Sequence, residues 1–216
     1  MSDTLLQSAF IYQEISKYEY YFIFGDKKRN LYYIPIKLKN ENYPHLIGID
    51  KLTDKKELIF KKGKDKIIER IINNEINFQS IEDSKQIENC LNKLSFFNGF
   101  SSFFSDNITQ SSGFNFVKKT AFSSINASIL IKNMNSHDHV FFKYECLDKG
   151  AEYYIPISFL NEDTPKYTAN QTRLTLLYAD RKEILSQSER EVLYKLKSFT
   201  DEIIYSATKL WKLQRR

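Results

Sequence analysis

The histidine at position 45 is the residue whose neighbours best prepare it for chemistry. It lies in Tyr43-Pro44-His45-Leu46-Ile47-Gly48-Ile49, after a strand-like run from Leu31 to Leu38 and a polar turn. Pro44 fixes the backbone that enters the histidine, and the short apolar run that follows has the composition of a buried segment. An imidazole held in this way, with its polar edge free, can take a proton from a ribose 2′-hydroxyl. It can equally return one to a leaving oxygen near neutral pH. The same residues also suit a structural histidine that fixes the turn after the strand.

Other clusters carry weaker chemistry. His137 and His139 flank Asp138; on a strand they would point the same way and could share a metal. Placed before Val140 in a polar turn, they read instead as a solvated loop, and no metal or other cofactor is expected. Lysines cluster at Lys27-Lys28-Arg29, Lys55-Lys56, Lys61-Lys62-Gly63-Lys64 and Lys118-Lys119, several of them near Tyr or Phe. That pattern fits a nucleic-acid surface as well as ordinary solvated loops. Tyr167, Gln171 and Arg173 precede the last strand; phenol, amide and guanidinium together can orient and neutralise a phosphate. A polar strand entry explains them too. There is no Gly-rich phosphate loop, nucleophile elbow or His-Glu-x-x-His, which argues against a P-loop NTPase, an α/β-hydrolase and a zincin.

The elements that must position these residues follow from hydrophobic spacing. The 216 residues include 17 Phe and 14 Tyr with only 6 Gly and 4 Pro, enough bulk for a substantial core and little linker. Residues 4–17 have helical spacing. Tyr18 to Phe24 and Leu31 to Leu38 read as a hairpin with a basic tip. Residues 57–60 are ambiguous, Lys64 to Asn73 has an isoleucine face, and Ser84 to Phe104 reads as a helix weakened at its end by Gly99. Strands are expected at Gly113 to Thr120, Ala127 to Lys132, Val140 to Glu145, Tyr153 to Ser158 and Thr172 to Tyr178, forming an antiparallel meander. Ser186 to Arg216 reads as a long helix with two possible capping boxes and a basic end. The expected fold is α+β: N-terminal helices and a hairpin packed with an antiparallel sheet, plus a long C-terminal helix. The domain reading is 1–182, with 183–216 as a helical extension.

Net charge is +5, compatible with a polyanionic partner. Cys90 sits on a helical stripe and reads as a reduced core thiol; Cys146 lies in a different element. No N-terminal signal pattern or membrane-length apolar run is present, so a cytoplasmic protein is expected.

The Tyr43–Ile49 segment resembles the aromatic-x-His-Leu-x-Gly signature of a phage-associated nuclease family named for its barnase, EndoU, colicin and RelE-like relatives, in its fourth subfamily. The order that follows is also similar: the Ile67–Asn73 helix, a Ser-Lys helix with an aromatic end (Ser84 to Phe97), Ala127 to Lys132, and Tyr153 to Phe159 with Tyr167 and Gln171. The similarity covers about residues 10–182. Where an arginine is expected in the Ser-Lys helix this chain has Lys93, which keeps the charge but not the bidentate geometry. The resemblance implies a metal-independent ribonuclease that transfers a 2′-hydroxyl onto the phosphate and leaves a 2′,3′-cyclic end. His45 would be its base or acid. The expected catalytic set is His45, Tyr167, Gln171 and Arg173, with Lys61, Lys62, Lys118 and Lys119 contacting substrate. The expected partner is RNA (tRNA or mRNA), the enzyme acting as a toxin or conflict effector of phage or mobile-element origin. The alternative is a non-catalytic nucleic-acid- or protein-binding phage regulator or anti-defence protein on the same fold. A third expectation is docking of a protein partner or a second copy through the C-terminal helix.

Overall fold

The structure is a computed structural model that describes residues 2–116, 125–146, 152–186 and 189–206. Helix α1 (Ser2–Ile15) leads into β1 (Tyr18–Gly25) and β2 (Leu31–Lys37). Four short helices follow: α2 (Tyr43–Leu46), α3 (Lys56–Phe60), α4 (Ile67–Ile72) and α5 (Ile87–Phe96). The second half is β3 (Ser111–Asn115), β4 (Ile129–Asn133), β5 (Asp138–Cys146), β6 (Glu152–Asn161), β7 (Thr172–Glu183) and β8 (Glu191–Lys195).

The sheet runs β1-β2-β6-β5-β4-β3-β7-β8, and an additional antiparallel pairing of β1 with β7 closes seven of these strands into a barrel. The meander β3 to β6 forms as its alternating patterns imply. The expected all-antiparallel sheet does not: β2 and β6 pair in parallel. Seven strands closed in a ring cannot alternate in direction throughout, so one neighbouring pair must run parallel, and the ring closes through β1, whose side chains are apolar on both faces. Tyr20, Phe22 and Phe24 enter the main core, and Ile23 enters a separate cluster with Tyr178 and Phe199. A strand buried on both faces belongs inside a sheet, so both its edges are paired.

Inward-facing residues of the barrel, such as Ile36, Ile131, Phe142 and Leu174, form one cluster with the apolar faces of α1, α4 and α5. Regular helix ends at Phe96, and Phe97–Phe104 continues as 3-10 helix. Its three-residue period lines up Phe97, Phe100 and Phe103 on one buried side. Phe97, Phe100 and Phe103 then meet Phe159 of β6 edge-on, at ring distances of 5.8, 5.1 and 6.4 Å. Cys90 is buried and unpaired with another cysteine, as its stripe predicts.

The long C-terminal helix is not present. Residues 191–195 are strand β8, paired antiparallel with β7. Glu191 clamps Arg181 across the strands at 2.7 and 2.9 Å. Arg190 reaches the buried carboxylate of Asp180 at 3.1 Å. Cross-strand charge pairing here outweighs a helical period that the sequence also satisfies. Residues 201–206 are helical, and the rest of the expected helix, including Trp211, lies outside the described residues. Among the described residues no helix is long and apolar enough to cross a membrane.

Candidate active site

The segment around His45 folds as its residue types require. Pro44 occupies the first turn of α2, where its missing N–H is harmless. Tyr43, Leu46, Ile47 and Ile49 are fully buried. The Tyr43 hydroxyl shares a 2.7 Å hydrogen bond with Ser8 Oγ, and its ring lies 5.2 Å from Tyr12 and 6.1 Å from Phe97. Gly48 ends the helix at φ 76°, a conformation that suits glycine, and a Cβ there would stand 3.3 Å from the Asn89 carbonyl. This left-handed step turns the chain back so that Asp50 faces His45.

His45 Nδ1 is 2.8 Å from Asp50 Oδ2. A carboxylate on Nδ1 places the imidazole proton there, so Nε2 carries the lone pair on the half-exposed edge. Burial alone would push the Asp50 carboxyl up. The hydrogen bond and charge of His45, helped by Lys51 at 3.5 Å, more than offset it and hold the group below its ordinary range. Asp50 is therefore ionised when His45 accepts a proton and steadies the imidazolium that forms. Lys93 of α5 donates to the His45 carbonyl at 3.0 Å, tying the two helices together. Burial pushes its pKa down while Asp50 pulls it back up.

His45 and Asp50 open onto a cleft of about 450 Å³. Glu41, Asn42, Pro44 and Lys64 also line it, together with Ile125, Asn126 and the β6 residues Pro156, Ile157 and Ser158. A general base, an ionised carboxylate behind it and an ammonium in one open cleft is an arrangement for proton transfer beside a developing negative charge.

The other predicted residues stand elsewhere. Lys61 is exposed after α3, and Lys62 pairs with Glu75 at 3.0 Å; Lys64, two residues on, is the lysine of that run that lines the cleft. Lys118 and Lys119 lie outside the described residues. Tyr167 is buried on the outer face of the barrel, its ring 5.2 Å from Phe141, and Arg173 Nη2 donates to Ser112 Oγ at 2.9 Å. Gln171 is partly buried in the loop between them. None of these three is among the residues lining the His45 cleft, although Ile125 and Ile157 pack against the Tyr167 cluster as well as lining it. His139 is not in a solvated loop. It is the second residue of β5 and fully buried, while His137 sits in the preceding turn at φ 60°. Among the described residues no three His, Cys, Asp or Glu side chains gather as metal ligands would.

Lys64 belongs to a lysine run that the sequence offers as a nucleic-acid surface, whereas Asp50 and Asn42 do not stand out in it. Asp50 carried one usable signal, an acid shortly after the glycine that must turn the chain. Asn42 carried none, because the turn that brings it to the cleft leaves no periodic trace.

A closed α+β barrel with a carboxylate-backed histidine at an open cleft defines a protein equipped for acid–base chemistry on an accessible ligand. A family model described as phage-Barnase-EndoU-ColicinE5/D-RelE like nuclease4 matches residues 4–196, and the chain belongs to this family of phage-associated nucleases. No curated protein and no solved structure matches the chain.

Proposed function

We propose that the chain is an endoribonuclease of phage or mobile-element origin that cleaves RNA without a metal ion. The observation that carries this reading is the His45–Asp50 pair at 2.8 Å on the wall of the cleft. His45 Nε2 takes the proton of a ribose 2′-hydroxyl. The oxygen bonds to the adjacent phosphorus as the bond to the 5′-oxygen breaks; the leaving oxygen takes a proton from water, and the imidazolium returns its own proton to solvent. The products are a 2′,3′-cyclic phosphate and a 5′-hydroxyl. Asp50 holds the imidazole in the productive tautomer and stabilises its protonated form. Lys64 meets the charge that grows on the phosphate oxygens. Translation-related RNAs, tRNA or mRNA, are the proposed substrates, and a toxin or conflict effector the proposed role.

Incubating the protein with total tRNA and a mixed RNA pool in EDTA, beside His45→Ala and Asp50→Asn, tests this. Fragments ending in 2′,3′-cyclic phosphate with the wild type, lost in His45→Ala and much reduced in Asp50→Asn, are expected. Equal cleavage by wild type and His45→Ala would remove His45 from the chemistry, and intact RNA in every lane would favour the binding protein.

A further inference from the structure

The outward face of the barrel carries a second group of cations that the His45 cleft does not use. Side chains alternate along a strand, so with Ile131 facing the core, Lys132 faces out. The register places it directly across from Ser112 of β3 and from His139 of β5. Arg173 is directly across from Phe114 and reaches back to Ser112 at 2.9 Å. Arg173, Ser112, Lys132 and His139 thus form one continuous row over four strands. Neighbours of this kind lie about 5 Å apart.

Lys132 is the odd member. It is only 7% exposed, and its ammonium forms no ion pair or hydrogen bond among the described residues. Arg173 likewise has no carboxylate partner among them. The Lys132 stem is covered by its neighbours, and the ammonium at its tip is not among the buried polar atoms that lack a partner, so it stands at the surface with its charge uncompensated. The nearby titratable groups are His139, His137 and Glu162, the last interacting with His139. His139 stays neutral near pH 7, because burial pushes its pKa down to about 4 even though the His137 carbonyl favours its protonated form. The row is therefore net positive, with the exposed Arg173 at one end.

We propose that Lys132 and Arg173, bridged by Ser112, form a seat for a backbone phosphate of the nucleic-acid strand whose reacting bond lies at His45. The seat rests on the nuclease reading and extends it. Ser158 of β6 lines the His45 cleft and is the register partner of Phe141 on β5. Lys132 is two strands from β6, roughly 10 Å at the usual strand spacing. A single extended strand of RNA spans both places. The seat reads no base; it supplies affinity and direction.

Binding of a fluorescein-labelled 2′-O-methyl oligoribonucleotide, which lacks the attacking hydroxyl, tests the seat apart from cleavage. Anisotropy would be followed over a salt series for wild type, Lys132→Met, Lys132→Arg, Arg173→Gln and the exposed control Lys197→Met. Lys132→Met and Arg173→Gln are each expected to weaken binding several-fold at low salt. Each should also reduce the slope of log K against log salt by about one. Lys132→Arg should retain most of the affinity, and Lys197→Met should bind as wild type does. Unchanged affinity and slope in folded Lys132→Met and Arg173→Gln would overturn the seat even if RNA is cleaved, and so would a wild type that does not bind. Loss of binding in these variants, in a protein that cuts no RNA, would support the seat and refute the nuclease reading instead.

Discussion

Acid should destabilise this protein well before its carboxylates are protonated, and His139 is the reason. Its ring is fully buried, with Nδ1 donating to the His137 carbonyl at 2.8 Å and Nε2 without a hydrogen-bond partner among the described residues. Burial lowers its pKa to about 4, against an ordinary histidine value of 6.5. Between those values the unfolded chain binds the proton and the folded one does not. Stability is thus fully present above about pH 6.5 and is lost as pH falls toward 4. At about 1.36 kcal/mol per pKa unit the whole effect is roughly 3 kcal/mol, and about 2 of that falls between pH 6.5 and 5. A domain with 5–15 kcal/mol of total stability would register this clearly. Urea unfolding at pH 7.5, 6.5, 5.5 and 5.0 measures it, with His139→Asn as the comparison. The asparagine amide can still donate to the His137 carbonyl but does not titrate. The variant is expected to start lower at pH 7.5, through lost packing, and to change about 2 kcal/mol less than wild type down to pH 5. Carboxylates held below their ordinary range, such as Asp50 and Glu75, act only below this window. Parallel curves for the two proteins would refute the argument.

His45→Ala should lower kcat/KM for RNA by about 10²–10⁴-fold while leaving binding of an uncleavable strand nearly intact, as steady-state kinetics beside anisotropy would show. Gly48→Ala should destabilise the fold by more than about 1 kcal/mol, since φ 76° disfavours a Cβ and the Asn89 carbonyl would stand 3.3 Å from it. Gly48→Asn should be milder on thermal melting, because asparagine tolerates that conformation. Arg190→Ala leaves Asp180, which is 1% exposed, without its cation, and should destabilise by about 2 kcal/mol near pH 7 after allowing for Arg190's own exposure. Burial already pushes the Asp180 carboxyl up, so its protonated form is the one the fold prefers. The Arg190→Ala deficit should therefore shrink as pH is lowered, and a deficit independent of pH would count against this account.

Local patterns in the sequence carry the local structure well. The aromatic and β-branched runs Tyr18 to Phe24 and Leu31 to Leu38 mark the first hairpin by composition, and the isoleucines of α4 mark its buried face, because burial on one side of a helix imposes a period. The Tyr43–Ile49 motif resolves into a proline that starts a turn, a glycine that ends it and a histidine on its open side. What could not be read is long-range. The pairing of Tyr18 with Glu183 that closes the barrel joins segments too far apart to share a period. Residues 191–195 satisfy a helical spacing and become a strand because Arg181 and Asp180 wait on the neighbouring strand. His139 looks like part of a polar turn until Tyr167 packs 6.1 Å away over it.

Barrel closure also sets an order of events on the ribosome. His45 and Asp50 are made early, but the β6 wall of their cleft, Pro156 to Ser158, emerges about 110 residues later, roughly 6 to 20 seconds at ordinary synthesis rates. Strand β1 then waits for β7 before both its edges are paired. Such distant contacts form late and slowly. The nascent chain holds a histidine with no cleft around it, and the site comes into being only when translation of the barrel is nearly done. On the proposed nuclease reading the topology is a safety interval: the cleft around His45 is assembled only after the strands that wall it have been made.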